Sequence, residues 1–292
     1  MKPAPFQYEC PRGEAELAEI LASRGSEAKV LAGGQSLLQL MNMRVLKPKL
    51  VVDINRIESF HYIREEETSI AVGPLIRHRD LVKSDLVRTK CPMLSKAVRF
   101  IGHQAIRNRG TALGSLAHAD PGAELPTVMT ALGGELTAAG LNERMEIVAS
   151  RFFQGVNQTS LLPTQYLQEA RFPKIRAGEG HAFHEFSMRY NDPAIVTSAV
   201  SIFTDEFGVV TRIRGALGGV GSTPVYFEPE AASLVGAIAD EKAAADAAER
   251  VASGLEPPDH LFSSAAYRKE LAVHLLKKGI MEAYTEAVRK EM

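Results

Sequence analysis

Apolar positions recur at helical spacing over 14–24, where Leu17, Ile20 and Leu21 share one face and Gly25 offers a stop. A short apolar run at 29–31 predicts a strand, 36–43 a helix and 49–54 a buried strand, together a compact β-loop-α-β unit. Beyond residue 59 the texture changes. Strands are expected at 61–64 and 68–72 around the acidic turn 65–67, then helices at 77–82 and 93–101. A helix over 124–132 follows, with strands at 135–139, 145–148 and 166–172, the last stopped by Pro173. Between 174 and 181 glycine and charge replace apolar periodicity, which predicts a linker. Strands at 194–204 and 209–217 flank the turn Asp205-Glu206-Phe207-Gly208. The remainder reads as helical: 231–253 is rich in alanine, and 264–290 carries Tyr267, Leu271 and Leu275 on one face.

Composition narrows the class without naming a function. At 292 residues the chain has room for two or three domains, and 45% hydrophobic with 24% charged residues is ordinary for a soluble globular protein. A formal net charge of −1 gives no reason to propose nucleic acid as a ligand. The two cysteines, Cys10 and Cys91, are not at metal-ligand spacing, so this chain offers no basis for an iron–sulfur cluster or a zinc site. So few cysteines also point to a reducing compartment. No apolar run reaches the roughly 18 residues that a membrane span needs, and the N-terminus lacks a signal-peptide core, so the cytoplasm is expected. None of the eight histidines forms an H-x-x-x-H or H-E-x-x-H pair.

The chemistry lies in two glycine-bearing segments. The first is Leu31-Ala32-Gly33-Gly34-Gln35-Ser36-Leu37-Leu38, between a strand and a helix. Backbone N–H groups at such a place have no helical partner, and glycine lets a phosphate approach them closely. A plain strand-to-helix turn is the alternative. Gln35 and Ser36 favour a ligand, because their side chains can donate to phosphate oxygens. The segment is neither a P-loop, since the lysine is missing, nor a G-x-G-x-x-G fingerprint. The second segment runs Arg109-Gly110-Thr111-Ala112-Leu113-Gly114-Ser115 and on through Asp120-Pro121 to Glu124. It combines small residues, hydroxyl donors and two carboxylates. Asp120 fits an N-cap with Pro121 at the first helical position, or an acceptor for ribityl hydroxyls or a flavin N–H. Two such loops together suggest a diphosphate gripped from both sides.

Three motifs in order carry a resemblance: Leu-Ala-Gly-Gly-Gln-Ser-Leu-Leu (31–38), Arg-Asn-Arg-Gly-Thr-Ala-Leu-Gly-Ser-Leu-Ala-His-Ala-Asp-Pro (107–121) and Gly-Gly-Val-Gly-Ser-Thr-Pro-Val (218–225). With Ser-Ala-Ala-Tyr-Arg-Lys-Glu-Leu (264–271), the chain resembles the FAD-binding medium subunits of molybdenum hydroxylases over nearly its whole length. The resemblance implies an α+β protein with the vanillyl-alcohol-oxidase-type fold. Two α/β subdomains (1–57 and 58–175) would hold FAD, followed by a C-terminal α+β domain (176–292) with an antiparallel sheet and helices. It places Ala32, Gly33, Gly34, Gln35 and Ser36 with Thr111, Ala112, Leu113, Gly114 and Ser115 around the diphosphate. Glu124 would lie near the flavin-proximal part of the cofactor, and Leu167 and His184 beside the isoalloxazine.

The resemblance also implies FAD on this chain, with the molybdenum cofactor and 2Fe–2S clusters on partner subunits. Gln35, rather than a histidine or cysteine, at the obvious attachment point predicts that the FAD is noncovalent. Those partners would be an iron–sulfur small subunit and a molybdenum large subunit in a dimer of heterotrimers. Electrons would pass from the clusters through FAD to an external acceptor, so no catalytic acid, base or nucleophile is named here. Three positions depart from the family pattern: Leu113 where a glycine is frequent, Gln39 where proline is, and Pro193 where an aromatic or aliphatic residue is. A free-standing FAD oxidase or dehydrogenase of the same fold, and a nucleotide-holding assembly module, are the competing readings.

Overall fold

The computed structural model describes residues 1–291. Met292, which ends the third expected domain, lies outside them. The chain opens with β1 (Gln7–Glu9), α1 (Glu14–Arg24), β2 (Ala28–Leu31), α2 (Leu37–Asn42) and β3 (Leu50–Asp53). These make a parallel three-stranded sheet in the order β1-β3-β2. The central strand is the apolar one: Leu50, Val51 and Val52 are fully buried, as a parallel strand covered on both faces requires. The edge strand β1 has no apolar signal of its own and went unpredicted. Its Gln-Tyr-Glu is held by backbone pairing to β3.

The middle of the chain contributes β4 (Ile63–Glu65), β5 (Ser69–Val72), α3 (His78–Lys83), α4 (Asp85–Lys90), α5 (Pro92–Ala97), α6 (Gln104–Arg107), α7 (Ala112–His118) and α8 (Glu124–Leu132). Then come β6 (Glu135–Ala139), β7 (Arg144–Val148), α9 (Ala149–Phe152), the small hairpin β8 (Phe153–Gly155) and β9 (Gln158–Thr159), and β10 (Tyr166–Pro173). A five-stranded sheet has the order β4-β5-β10-β6-β7, and β10 pairs antiparallel on both sides. Every residue of α8 is buried, which its composition permits because Thr127 and Thr130 are its only hydroxyl residues after Glu124.

The last part holds β11 (Glu179–Phe186), β12 (Val196–Thr204), β13 (Val210–Gly218), β14 (Val225–Phe227), α10 (Glu241–Ser253) and α11 (Ala265–Glu291). Its strands form an antiparallel meander in the order β11-β12-β13-β14. One face packs on α11, and the other meets α8.

Two expectations need correction here. The linker predicted over 174–181 ends in a core strand, with Glu179, Gly180 and His181 all buried. Gly180 is glycine because an added Cβ would lie 1.9 Å from the Ala283 carbonyl of α11. Burial alone would push the Glu179 carboxyl up, but hydrogen bonds from His181 (2.8 Å) and Ser201 (2.6 Å) outweigh it and hold the group at about 2. Charge and glycine thus serve a packed interior. Likewise, 231–253 is not one helix. A single 3₁₀ turn (Ala232–Leu234) precedes Gly236 at φ +84°, and α10 begins only where the Asp240 carboxylate caps the Ala243 N–H at 2.7 Å.

Candidate cofactor-binding site

The first glycine loop leaves the end of β2 and turns into α2. Gly34 has φ +71°, a left-handed conformation that L side chains rarely adopt, and its carbonyl accepts the first helical bond from Leu38 at 3.2 Å. Ser36 stands at the N-cap with its hydroxyl unused for capping. Gln35 turns its amide back onto the Gly33 carbonyl at 3.2 Å.

The second loop ends α6 and starts α7. Thr111 caps α7, its Oγ1 accepting from the Gly114 N–H at 3.1 Å. Ala112 and Leu113 turn into the core, while Gly114 and Ser115 are half-buried on the first turn. Leu113 lies in right-handed helix and is buried, so leucine in place of glycine costs no backbone strain.

The two loops meet. A Cβ added to Gly33 would lie 2.5 Å from the Arg109 carbonyl, 2.8 Å from Gly110 Cα and 3.0 Å from the Thr111 nitrogen. Residues eighty apart in sequence thus share one backbone contact that only glycine allows. Among the described residues, no protein acceptor takes the N–H groups of Gly33, Gly34, Gln35, Ser36 or Leu113. The row of free N–H groups in the first loop and the free Leu113 N–H in the second, with hydroxyls at Ser36 and Ser115, suit an anionic diphosphate, so the residues present fit the cofactor that the motifs imply.

The remaining expected positions divide. Leu167 on β10 is buried in the core that also contains Ala112, Leu113 and Leu125. Glu124 is the first residue of α8, and burial, then the nearby Asp120 charge, push its carboxyl up to about 7. Asp120 is not the N-cap of α8. That helix starts three residues later with Ala123 at the cap, and Asp120 instead accepts the Gly122 N–H at 2.8 Å across a tight turn. The prolyl start expected for α8 is therefore corrected: Pro121 lies in the turn.

His184 is not brought to the loops. Its Nε2 lies 3.0 Å from a Glu282 oxygen on α11. Strand neighbours alternate faces, and Gly180 on the same face as His184 also meets α11. The next residue, Glu185, faces the opposite way. Burial, then the Glu124 charge, push it up to about 8, and among the described residues its Oε2 is buried without a hydrogen-bond partner.

Sequence reasoning passed over Asn55, Arg77 and His78 as well. His78 packs under the second loop, its Nδ1 3.0 Å from where a Gly110 Cβ would stand. Burial pushes its pKa down to about 4. In the unfolded chain the ring titrates near 6.5. Between these values the unfolded chain binds a proton that the folded one refuses, so the His78 contribution to stability rises with pH over this window and is lost on acidification. The full difference, present above about pH 6.5, is about 3 kcal/mol. Urea unfolding of the unaltered chain and of His78→Leu at pH 7.5 and pH 5 isolates about 2 kcal/mol of it, because the raised Glu124 and Glu185 carboxyls add an opposing pH dependence common to both proteins. His78→Leu is expected to shift the stability difference between the two pH values by about 2 kcal/mol, the variant losing less on acidification than the unaltered chain, and an identical difference in the two proteins would exclude the His78 contribution.

Similarity to known proteins accords with this geometry. Residues 4–175 match the FAD binding domain in molybdopterin dehydrogenase, and residues 181–283 match the CO dehydrogenase flavoprotein C-terminal domain. The chain is 37% identical to the 6-hydroxypseudooxynicotine dehydrogenase complex subunit alpha of Paenarthrobacter nicotinovorans, over 98% of this chain and 97% of that one. It is 32% identical to the carbon monoxide dehydrogenase medium chain of Hydrogenophaga pseudoflava, over 97% and 99%. Among solved structures it superposes on a chain of carbon monoxide dehydrogenase from Hydrogenophaga pseudoflava, in a form lacking the Mo-pyranopterin moiety, with a TM-score of 0.94. That match has 33% identity and covers 98% of this chain and 99% of the other. A chain of quinoline 2-oxidoreductase from Pseudomonas putida 86 gives the same TM-score of 0.94 at 32% identity, over 99% of this chain and 100% of the other. Among the described residues, no helix is long and apolar enough to cross a membrane.

Proposed function

The chain belongs to the family of FAD-binding medium subunits of molybdenum hydroxylases, and on that premise we propose that it is the electron-transferring flavoprotein subunit of such a complex. It is an FAD-dependent oxidoreductase component. The observation that carries the finer reading is the meeting of the two glycine loops at Gly33, with free N–H groups on both sides. Bound between these loops, FAD would supply the redox chemistry that links iron–sulfur clusters on a partner to an external acceptor.

The protein's part is binding and positioning. Ala32, Gly33, Gly34, Gln35 and Ser36 from one side, and Thr111, Ala112, Leu113, Gly114 and Ser115 from the other, would line the diphosphate, the donors being the N–H groups of Gly33, Gly34, Gln35, Ser36 and Leu113 and the hydroxyls of Ser36 and Ser115. Asp120 and Glu124 would face the ribityl and ring portions, with Leu167 as an apolar wall. Glu185 replaces His184 in this reading, because it shares the face of Glu124. Both carboxyls are pushed toward the protonated form by burial, so each can donate a hydrogen bond near neutral pH.

The segments 1–57, 58–175 and 176–292 serve as two FAD-binding subdomains and a C-terminal domain. The partners are an iron–sulfur small subunit and a molybdenum large subunit, in a cytoplasmic dimer of heterotrimers. The surface beside the second loop, including His118, lies toward the iron–sulfur subunit.

Gln35 stands where a histidine or cysteine could form a covalent link, so the cofactor is expected to be noncovalent. Acid precipitation should release one flavin per chain into the supernatant. Yellow colour kept in the pellet would reject noncovalent attachment. Expressed alone, the chain should bind FAD and be bleached by artificial reductants, yet show no substrate-dependent reduction until its partners are added. Turnover of an organic substrate by the isolated chain at an ordinary enzymatic rate would replace this reading with a free-standing flavoenzyme.

A further inference from the structure

The contact between the two glycine loops is braced from behind by side chains outside both of them. Asp53 ends β3, paired with Leu31 at the mouth of the first loop. Its Oδ2 accepts the Tyr8 hydroxyl at 2.8 Å, and its Oδ1 accepts the Asn55 backbone N–H at 2.9 Å and side-chain amide at 2.6 Å. The same Asn55 amide donates to the Ala32 carbonyl at 2.9 Å, inside the first loop. That orients the Asn55 carbonyl oxygen outward, where the Arg77 guanidinium donates to it. Through its other nitrogen Arg77 donates to the Arg109 carbonyl of the second loop. This is the carbonyl that a Gly33 side chain would strike.

Arg77 is itself fixed. Its backbone N–H is held by the Asp80 carboxylate at 3.0 Å, and it bridges Thr111 across a short antiparallel ladder, with bonds from His78 N–H to the Gly110 carbonyl (3.0 Å) and from Ala112 N–H to the Ile76 carbonyl (3.0 Å). Among the described residues no carboxylate comes within ion-pair distance of the Arg77 guanidinium. Its planar fork reaches one acceptor on each side of the loop junction, which a surface ion pair would not do.

We propose that Asp53, Asn55 and Arg77 form a clasp that sets the spacing of the two glycine loops, and thereby their grip on the diphosphate of a dinucleotide. The clasp rests on the cofactor reading above. Arg77 is a positioning residue: it acts through the Arg109 carbonyl and, by way of Asn55, the Ala32 carbonyl, and needs no contact with the cofactor. Because the bonds from Ala32 through Asn55 and Arg77 to Arg109 run in series, cutting any one of them unties one loop from the other.

The test is reconstitution of the full-length, flavin-free chain. Dissociation constants for FAD, ADP and AMP are measured by titration, beside the melting temperature of each apoprotein. Arg77→Met and Asn55→Ala are each expected to weaken FAD and ADP about 10- to 100-fold, the range for losing a hydrogen bond to a charged group. AMP, with one phosphate, should change far less, because it does not bridge the loops. The double variant should be no weaker than the worse single one, since both cut one path. Arg77→Lys, which can reach only one of the two acceptors at a time, should fall between.

A general loss of structure would weaken AMP equally and lower the apoprotein melting temperature, and that pattern overturns the clasp. Wild-type affinity for FAD in a folded Asn55→Ala also overturns it, even if Arg77→Met fails to fold. If the unaltered chain binds neither FAD nor ADP, the cofactor reading falls first and takes the clasp with it.

Discussion

Gly33→Asp should fold and lose FAD. The added Cβ would stand 2.5 Å from the Arg109 carbonyl, so the loops must part for any side chain to enter. The carboxylate then sits beside the expected diphosphate. At about 4 Å and an effective dielectric near 20, two unit charges repel by about 4 kcal/mol. That alone weakens binding by roughly a thousandfold. Gly33→Ala separates the two effects, since it keeps the steric contact and omits the charge. Gly114→Asp weights them the other way: its Cβ meets only the Thr111 side-chain hydroxyl, at 2.6 Å, so charge and a disturbed α7 cap should dominate. Flavin content after purification and a fluorescence titration give the measurement. A folded Gly33→Asp with unaltered affinity would remove that glycine from the site.

Gly180→Ala is the largest stability loss expected. Its Cβ would fall 1.9 Å from the Ala283 carbonyl and 2.5 Å from the Ala287 nitrogen, both backbone atoms of α11. Neither can rotate aside, so the helix must lift from the β11–β12 face over which Ala272, Leu276 and Ile280 are buried. Overpacking of this kind costs about 3 kcal/mol. The melting midpoint should drop by roughly 5–10 °C. Gly254→Ala is the control, because nothing lies within 4 Å of its Cβ and its backbone is ordinary right-handed. Equal melting of the two variants would mean that α11 does not press on β11 as closely as this.

Elements with their own periodicity were legible before the structure. The helices at 14–24 and 124–132 and the strand at 135–139 fall where apolar spacing put them, since a local pattern suffices to choose their conformation. Elements whose stability comes from a partner were not. β1 exists by pairing with β3, and the first residues of β11 are a polar, glycine-bearing segment that becomes core only when Glu179 finds His181 and Ser201. The site divides in the same way. The two glycine loops announce themselves by residue type, because glycine and small hydroxyl residues have few other reasons to cluster between a strand and a helix. Asn55, Arg77 and Glu185 gave no such signal: an asparagine, an arginine and a glutamate are ordinary on any surface, and their meaning depends on what faces them.

The sequence by itself determined that this chain has two glycine-bearing loops, few cysteines and the ordered motifs of an FAD-binding medium subunit. Those are properties of residue type and order, which need no third dimension. Only the tertiary structure decided that the loops touch at Gly33, that His184 turns toward α11 while Glu185 turns toward Glu124, and that Arg77 bridges Asn55 and Arg109. The physical reason is the range of the forces. Backbone conformation and periodicity act over a few neighbours, whereas strand parity, burial and hydrogen-bond partners are set by segments that meet only after the chain has folded.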